Sequence, residues 1–84
     1  MVNWNLVGFV KSGQYRKKIL LALKNGNKTP NELKNELDLY ITHVSSTLKE
    51  LCDKGLAECL TPELKKGKIF AITTLGDEII NKIS

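Results

Sequence analysis

The hydrophobic pattern of this 84-residue chain changes its period at Gly55, and that change limits the folds that the chain can adopt. Before Gly55 the apolar residues recur at helical spacing, as Leu48 and Leu51 do. After Gly55, segment 56–60 alternates with a period of two and predicts a strand, and segment 69–72 predicts a second strand. Helices followed by a hairpin in so short a chain predict a single small α+β domain, mainly α.

Local signals predict four helices around this hairpin. The clearest start is Thr29-Pro30-Asn31-Glu32, because the Thr29 hydroxyl and the Glu32 carboxylate can each accept from the other residue's amide. Pro30 then occupies the first helical position, where a missing N–H costs nothing. In chain order we expect helices over about 13–25, 29–38 and 40–54, strands over 56–60 and 69–72, and a last helix over about 73–83.

Residues 1–11 are an apolar N-terminal extension whose secondary structure the sequence leaves open. Val2, Trp4 and Val10 fit an alternating strand, whereas Phe9 and Val10 fit a turn of helix. Either arrangement would bury Trp4 and Phe9, because a domain this small can scarcely leave them exposed. Tyr15, Tyr40 and Phe70 are likewise expected in the core or in an interface.

The residue types present argue against several classes of function. One histidine, His43, and two cysteines, Cys52 and Cys59, cannot fill a four-ligand zinc site without carboxylates. We expect both cysteines to be buried structural thiols and His43 to be exposed or to face a groove. No Gly-rich phosphate loop, catalytic triad or paired-carboxylate site is present, and no apolar run approaches the roughly 20 residues of a membrane span. We therefore expect a cytoplasmic protein that is not an enzyme and has no cofactor, bound metal or membrane contact.

The formal net charge of +4 is unevenly distributed along the chain. Residues 1–28 carry six basic side chains and no acid, residues 29–64 carry three basic and seven acidic side chains, and residues 65–84 carry four basic and two acidic ones. Such asymmetry indicates a surface that binds a polyanion, and the alternative is a plain solvated surface.

Two short helices joined by a tight turn, the second with a polar outer face, indicate a helix-turn-helix. The run VSSTLKELCDKGL at 44–56 resembles the recognition helix and wing entrance of winged-helix transcriptional regulators of the MarR-like and ArsR-like groups, including their small archaeal members. Segments 60–70 and 72–76 resemble the wing and its return to a final helix. The resemblance covers about residues 13–84. It implies one winged helix-turn-helix domain over 1–84, with three helices, a two-stranded wing hairpin and a C-terminal helix.

The resemblance further implies a transcription regulator that binds double-stranded DNA as a homodimer. The helix over 40–54 would enter the major groove and the basic wing would lie on the DNA backbone. The implied contacts are Thr42, His43, Ser45, Ser46 and Lys49 on that helix, Thr29 and Asn31 at the start of the preceding one, Lys65, Lys66 and Lys68 on the wing, and Arg16 and Lys17 in the first helix.

Two further points stay open at this stage. The recognition face has no arginine, and this nearly neutral face favours an alternative function as a winged-helix protein-interaction module within a larger complex. A homodimer would bury Trp4, Phe9 or the face formed by Ile79, Ile80 and Ile83. No small-molecule effector is assigned.

Overall fold

Five helices and a two-stranded hairpin succeed one another in the computed structural model, which describes residues 3–83. In chain order they are α1 (Trp4–Ser12), α2 (Arg16–Lys24), α3 (Pro30–Leu37), α4 (Ile41–Asp53), β1 (Ala57–Cys59), β2 (Phe70–Ile72) and α5 (Thr74–Ile83). The predicted fold class, a mainly helical winged helix with a two-stranded wing hairpin and a C-terminal helix, is confirmed.

The helix-turn-helix consists of α3, α4 and the tight turn between them. The predicted capping box is present, because the Thr29 hydroxyl accepts from the Glu32 amide at 3.2 Å and the Glu32 carboxylate accepts from the Thr29 amide at 2.9 Å. Pro30 occupies the first turn of α3. Asp38 ends α3 in the left-handed conformation, with a φ of 55°, and α4 begins three residues later.

The wing is anchored to the helical part of the domain by a backbone bridge as well as by its own hairpin. β1 and β2 pair antiparallel, with Ala57 opposite Ile72 and Cys59 opposite Phe70. The amide of Lys28 donates to the Phe70 carbonyl at 3.0 Å, and the Phe70 amide donates back at 2.8 Å. The segment that leads into α3 therefore lies beside the wing, which the sequence pattern did not predict.

The core is contributed by all five helices and by the first residues of the hairpin. Its largest fully buried side chains are Val10, Ile19, Leu20, Leu23, Leu33, Val44, Leu48, Leu51, Leu56, Ile79 and Ile80. Most come from apolar residues at helical spacing, as the sequence predicted.

The N-terminal segment is the helix α1, and the expectation that it buries Trp4 is wrong. Val7 and Val10 face the core, whereas Trp4 is 71% exposed and begins the outward side of the helix, which also carries Gly8. Phe9 is half-buried. Val2, which the strand alternative included, lies outside the described residues.

Three other expectations are corrected by the packing. The helix predicted from about residue 13 begins at Arg16, because Gly13 adopts an extended conformation after α1. Tyr40, expected in the core or in an interface, is 76% exposed, so the core alternative is wrong. Ile79 and Ile80 are buried inside the domain, because α5 packs on α1 and α2, and they therefore offer no free face for a dimer.

Candidate nucleic-acid interface

A groove of about 590 Å³ lies between the outer side of α4 and the wing, and residues at the start of α3 also line it. Seven of the predicted contact residues line it: Thr29, Asn31, Ser45, Lys49, Lys65, Lys66 and Lys68. They come from three separate parts of the sequence. The bridge between Lys28 and Phe70 explains their meeting, because it holds the start of α3 next to the wing.

The residues lining the groove give it a strongly positive character. Lys49, Lys65, Lys66 and Lys68 line it, and no Asp or Glu is among the lining residues that the structure describes. Four cations on one concave surface create a local potential that attracts an anion, even though the net charge of the whole protein is modest.

The wing that carries three of these lysines is ordered by specific hydrogen bonds. The Leu60 amide donates to the Ile69 carbonyl at 2.8 Å, and the Ile69 amide donates to the Thr61 hydroxyl at 3.0 Å. Gly67, at a φ of 67°, supplies the turn between Lys66 and Lys68. A residue with a Cβ would be strained there, so the glycine allows the tight basic tip.

The α4 helix presents a polar outer face, as predicted. Thr42, Ser45, Ser46 and Lys49 are exposed, whereas Val44, Thr47, Leu48 and Leu51 on the inner side are buried. Of the exposed four, Ser45 and Lys49 line the groove, while Thr42 and Ser46 do not.

His43 lies on the side of α4 that faces α2, outside the groove lining. Its ring stacks on Tyr15, with ring centres 5.0 Å apart, and meets Tyr40 edge-on at 5.8 Å. The ring is exposed, as expected. These two tyrosines restrict the orientation of the imidazole, and sequence spacing did not indicate this aromatic cluster.

The two predicted contacts at the start of α2 differ in their surroundings. Arg16 makes an ion pair with Glu50 of α4, at 2.8 Å, and its side chain is only 18% exposed. Lys17 is half-buried and follows Arg16 on α2.

The two predicted contacts at the start of α3 are both available to an anion. The Thr29 hydroxyl accepts from the Glu32 amide but can still donate its own proton, and Asn31 is exposed.

Cys52 and Cys59 are free and half-buried, so the expectation of fully buried thiols is wrong. Both line the groove, because α4 and β1 each turn one cysteine toward the same opening. Burial raises the pKa of the Cys52 thiol, and the nearby Cys59, Asp53 and Glu58 raise it further. No group of three or more His, Cys, Asp or Glu side chains in the described part of the chain is arranged to hold a metal ion.

The groove also has an apolar part that the sequence patterns did not predict. Ile41, Leu48 and Phe70 line it together with the two cysteines. The pairing of Cys59 with Phe70 places these two wing residues side by side, and a strand register is not readable from the two short strand patterns.

The helix-turn-helix of α3 and α4, followed by the two-stranded wing and α5, defines this protein as a winged helix. Solved structures that it resembles include regulators of the MarR family. A cysteine-to-serine mutant of MarR from E. coli superposes with a TM-score of 0.76 at 27% sequence identity, over 93% of this chain and 62% of that chain. A MarR family transcription regulator superposes at 0.74 and 27% identity, over 94% of this chain and 58% of that one.

A MarR mutant from E. coli complexed with operator DNA gives a TM-score of 0.74 at 27% identity, over 93% of this chain and 60% of that chain. This chain therefore spans about three-fifths of the length of these regulators. No family model and no curated protein matches the sequence. No helix within residues 3–83 is long and apolar enough to cross a membrane.

Proposed function

We propose that this protein is a DNA-binding transcription regulator of the winged-helix type, of the small archaeal kind, with α4 in the major groove and the wing on the DNA backbone. The observation that carries the proposal is the groove where Lys49 of α4 meets Lys65, Lys66 and Lys68 of the wing. Lysines spread over two elements but facing one groove suit successive phosphates of a duplex. The operator DNA bound to the MarR neighbour supports the same reading.

The contacts divide into two groups with different roles. The wing lysines would contact phosphates and contribute affinity for any sequence. Thr42, Ser45 and Ser46, which are exposed on α4, would meet base edges. Hydroxyl groups bond to almost any base, so part of the selectivity would come from the shape of the DNA.

The experiment is fluorescence anisotropy with a labelled duplex of mixed sequence, repeated across salt concentrations. The variant Lys65→Gln/Lys66→Gln/Lys68→Gln should weaken binding to all sequences alike. It should also make the slope of log K against log salt shallower by about 2.7, since each lost phosphate contact removes about 0.9.

The matched control is Lys11→Gln/Lys18→Gln/Lys82→Gln, which removes three exposed lysines that do not line the groove. Its net charge change is identical, so an effect of overall charge alone would appear equally in both variants. Equal losses would show that the wing is not the DNA contact.

We also propose a homodimer whose contact includes Trp4. The indole is 71% exposed, and Gly8, one turn further along α1, has no neighbouring atom within 4 Å of where a Cβ would stand. A large apolar ring beside a glycine gives a flat surface against which a second copy can pack. Two copies would place two recognition helices for paired half-sites.

The second candidate function is a protein-interaction module. It is favoured by the exposed face of α4, where Thr42, Ser45 and Ser46 are neutral and Lys49 adds the single cation of residues 41–49. Capture of a stable protein partner together with no DNA retention at physiological salt would favour this candidate. We further propose that the regulator is a cytoplasmic protein without catalytic activity.

A further inference from the structure

The Arg16 side chain is held by contacts with three residues on two other helices, Phe9 and Ser12 of α1 and Glu50 of α4. One guanidinium nitrogen lies 2.8 Å from a carboxylate oxygen of Glu50. Another donates to the Phe9 carbonyl at 2.6 Å and to the Ser12 hydroxyl at 3.2 Å. The guanidinium carbon lies 3.7 Å above the centre of the Phe9 ring. Two of the guanidinium nitrogens are therefore already hydrogen-bonded, and the Phe9 ring covers one face of the group. A guanidinium held in this way has little freedom to reach a DNA phosphate.

Glu50, the ion-pair partner of Arg16, lies on α4 next to the residues that we propose face the DNA. Glu50 is the single acidic residue of segment 41–52, it follows Lys49, and it lies one helical turn after Ser46. Its side chain remains 46% exposed. A carboxylate so close to the proposed DNA-facing side would repel the phosphates of a bound duplex unless a cation neutralised it.

We propose that Arg16 is a positioning residue that neutralises Glu50 and holds its carboxylate on the α2 side of α4, away from the DNA. This inference rests on the proposed function. It assigns Arg16 a role different from the phosphate contact expected from the sequence. The contacts with Phe9 hold the Arg16 guanidinium beside Glu50 in the absence of DNA. Neutralisation of the Glu50 carboxylate therefore does not depend on DNA binding.

The test is a double-mutant cycle of Arg16→Gln and Glu50→Gln, read by anisotropy with a labelled mixed-sequence duplex at fixed salt. We expect Arg16→Gln to weaken binding about tenfold, because the exposed carboxylate then faces the phosphates. Adding Glu50→Gln should restore the affinity to within about threefold of wild type, because the charge that needed a partner is gone. Glu50→Gln alone should leave the affinity unchanged or raise it.

Thermal unfolding of the same variants separates this role from a purely structural one. Glu50→Gln cannot restore the contacts of Arg16 with Phe9, so the double variant should stay as thermally destabilised as Arg16→Gln while its DNA binding recovers.

Two further substitutions of Arg16 complete the test. Arg16→Lys keeps the positive charge but lacks the planar guanidinium, and it should retain most of the DNA affinity. If Arg16→Gln does not fold, Arg16→Met, which keeps an unbranched apolar chain beside Phe9, replaces it in the cycle.

Two outcomes overturn the inference while leaving the proposed function intact. Either Arg16→Gln binds DNA like wild type, or the double variant binds as weakly as Arg16→Gln, which would make Arg16 a direct phosphate contact or a fold determinant. If wild type fails to bind the duplex even at low salt, the proposed function falls and this inference falls with it.

Discussion

Gly76 allows α5 to pack directly on the backbone that leads into the wing. It is buried in the first turn of α5, and a Cβ at this position would collide with the carbonyl oxygen of Leu56 and lie 2.8 Å from the Ile72 side chain. The Leu56 carbonyl cannot easily move, because it accepts from the Thr73 amide at 3.1 Å. We therefore predict that Gly76→Ala destabilises the protein.

The size of the effect follows from two opposing terms. Alanine gains about 1 kcal/mol of helix propensity over glycine. A collision with backbone belongs at the upper end of the overpacking range, about 3 kcal/mol. The net loss is about 2 kcal/mol, which in a domain of this size lowers Tm by roughly 8–16 °C.

Gly8→Ala is the matched control for this substitution. Gly8 lies inside α1 and an added Cβ would meet no atom of its own chain within 4 Å, so in protein dilute enough to be monomeric the helix-propensity gain should appear alone. Gly8→Ala should raise Tm by roughly 4–8 °C. Circular dichroism melts and urea titrations of both variants measure the difference. A Gly76→Ala variant at least as stable as wild type would refute the packing argument.

Two other predictions concern Cys52 and Trp4. Because burial, with nearby Cys59, Asp53 and Glu58, raises the pKa of the Cys52 thiol above its ordinary value of 9.0, the folded state holds that proton more tightly. Stability should therefore fall as pH rises above about 9, and Cys52→Ser should flatten this decline in urea titrations; an unchanged decline would contradict the assignment. The exposed Trp4 should fluoresce as a solvated indole in dilute protein and shift to shorter wavelength as concentration rises. Trp4→Ala should abolish self-association in sedimentation, and a dimer that forms with unchanged emission would exclude Trp4 from the contact.

The elements that could be predicted from the sequence are those whose signals are local. The start of α3 was predictable because a capping box and Pro30 involve neighbours within three residues. The inner stripe of α4 was predictable because helical periodicity reports which side is apolar. The wing hairpin was predictable because the period of the hydrophobic pattern changes at Gly55. The basic tip was predictable because Lys65 and Lys66 are neighbours in the sequence.

The features that depend on distant partners could be seen only in the folded chain. Trp4 is exposed because Val7 and Val10 fill the core in its place, which no rule about aromatic burial anticipates. Arg16 pairs with Glu50, 34 positions along the chain, and no local pattern predicts this ion pair. The groove likewise depends on backbone pairing between distant segments. Such contacts are set by packing of the whole chain, whereas local propensities act only over a few residues.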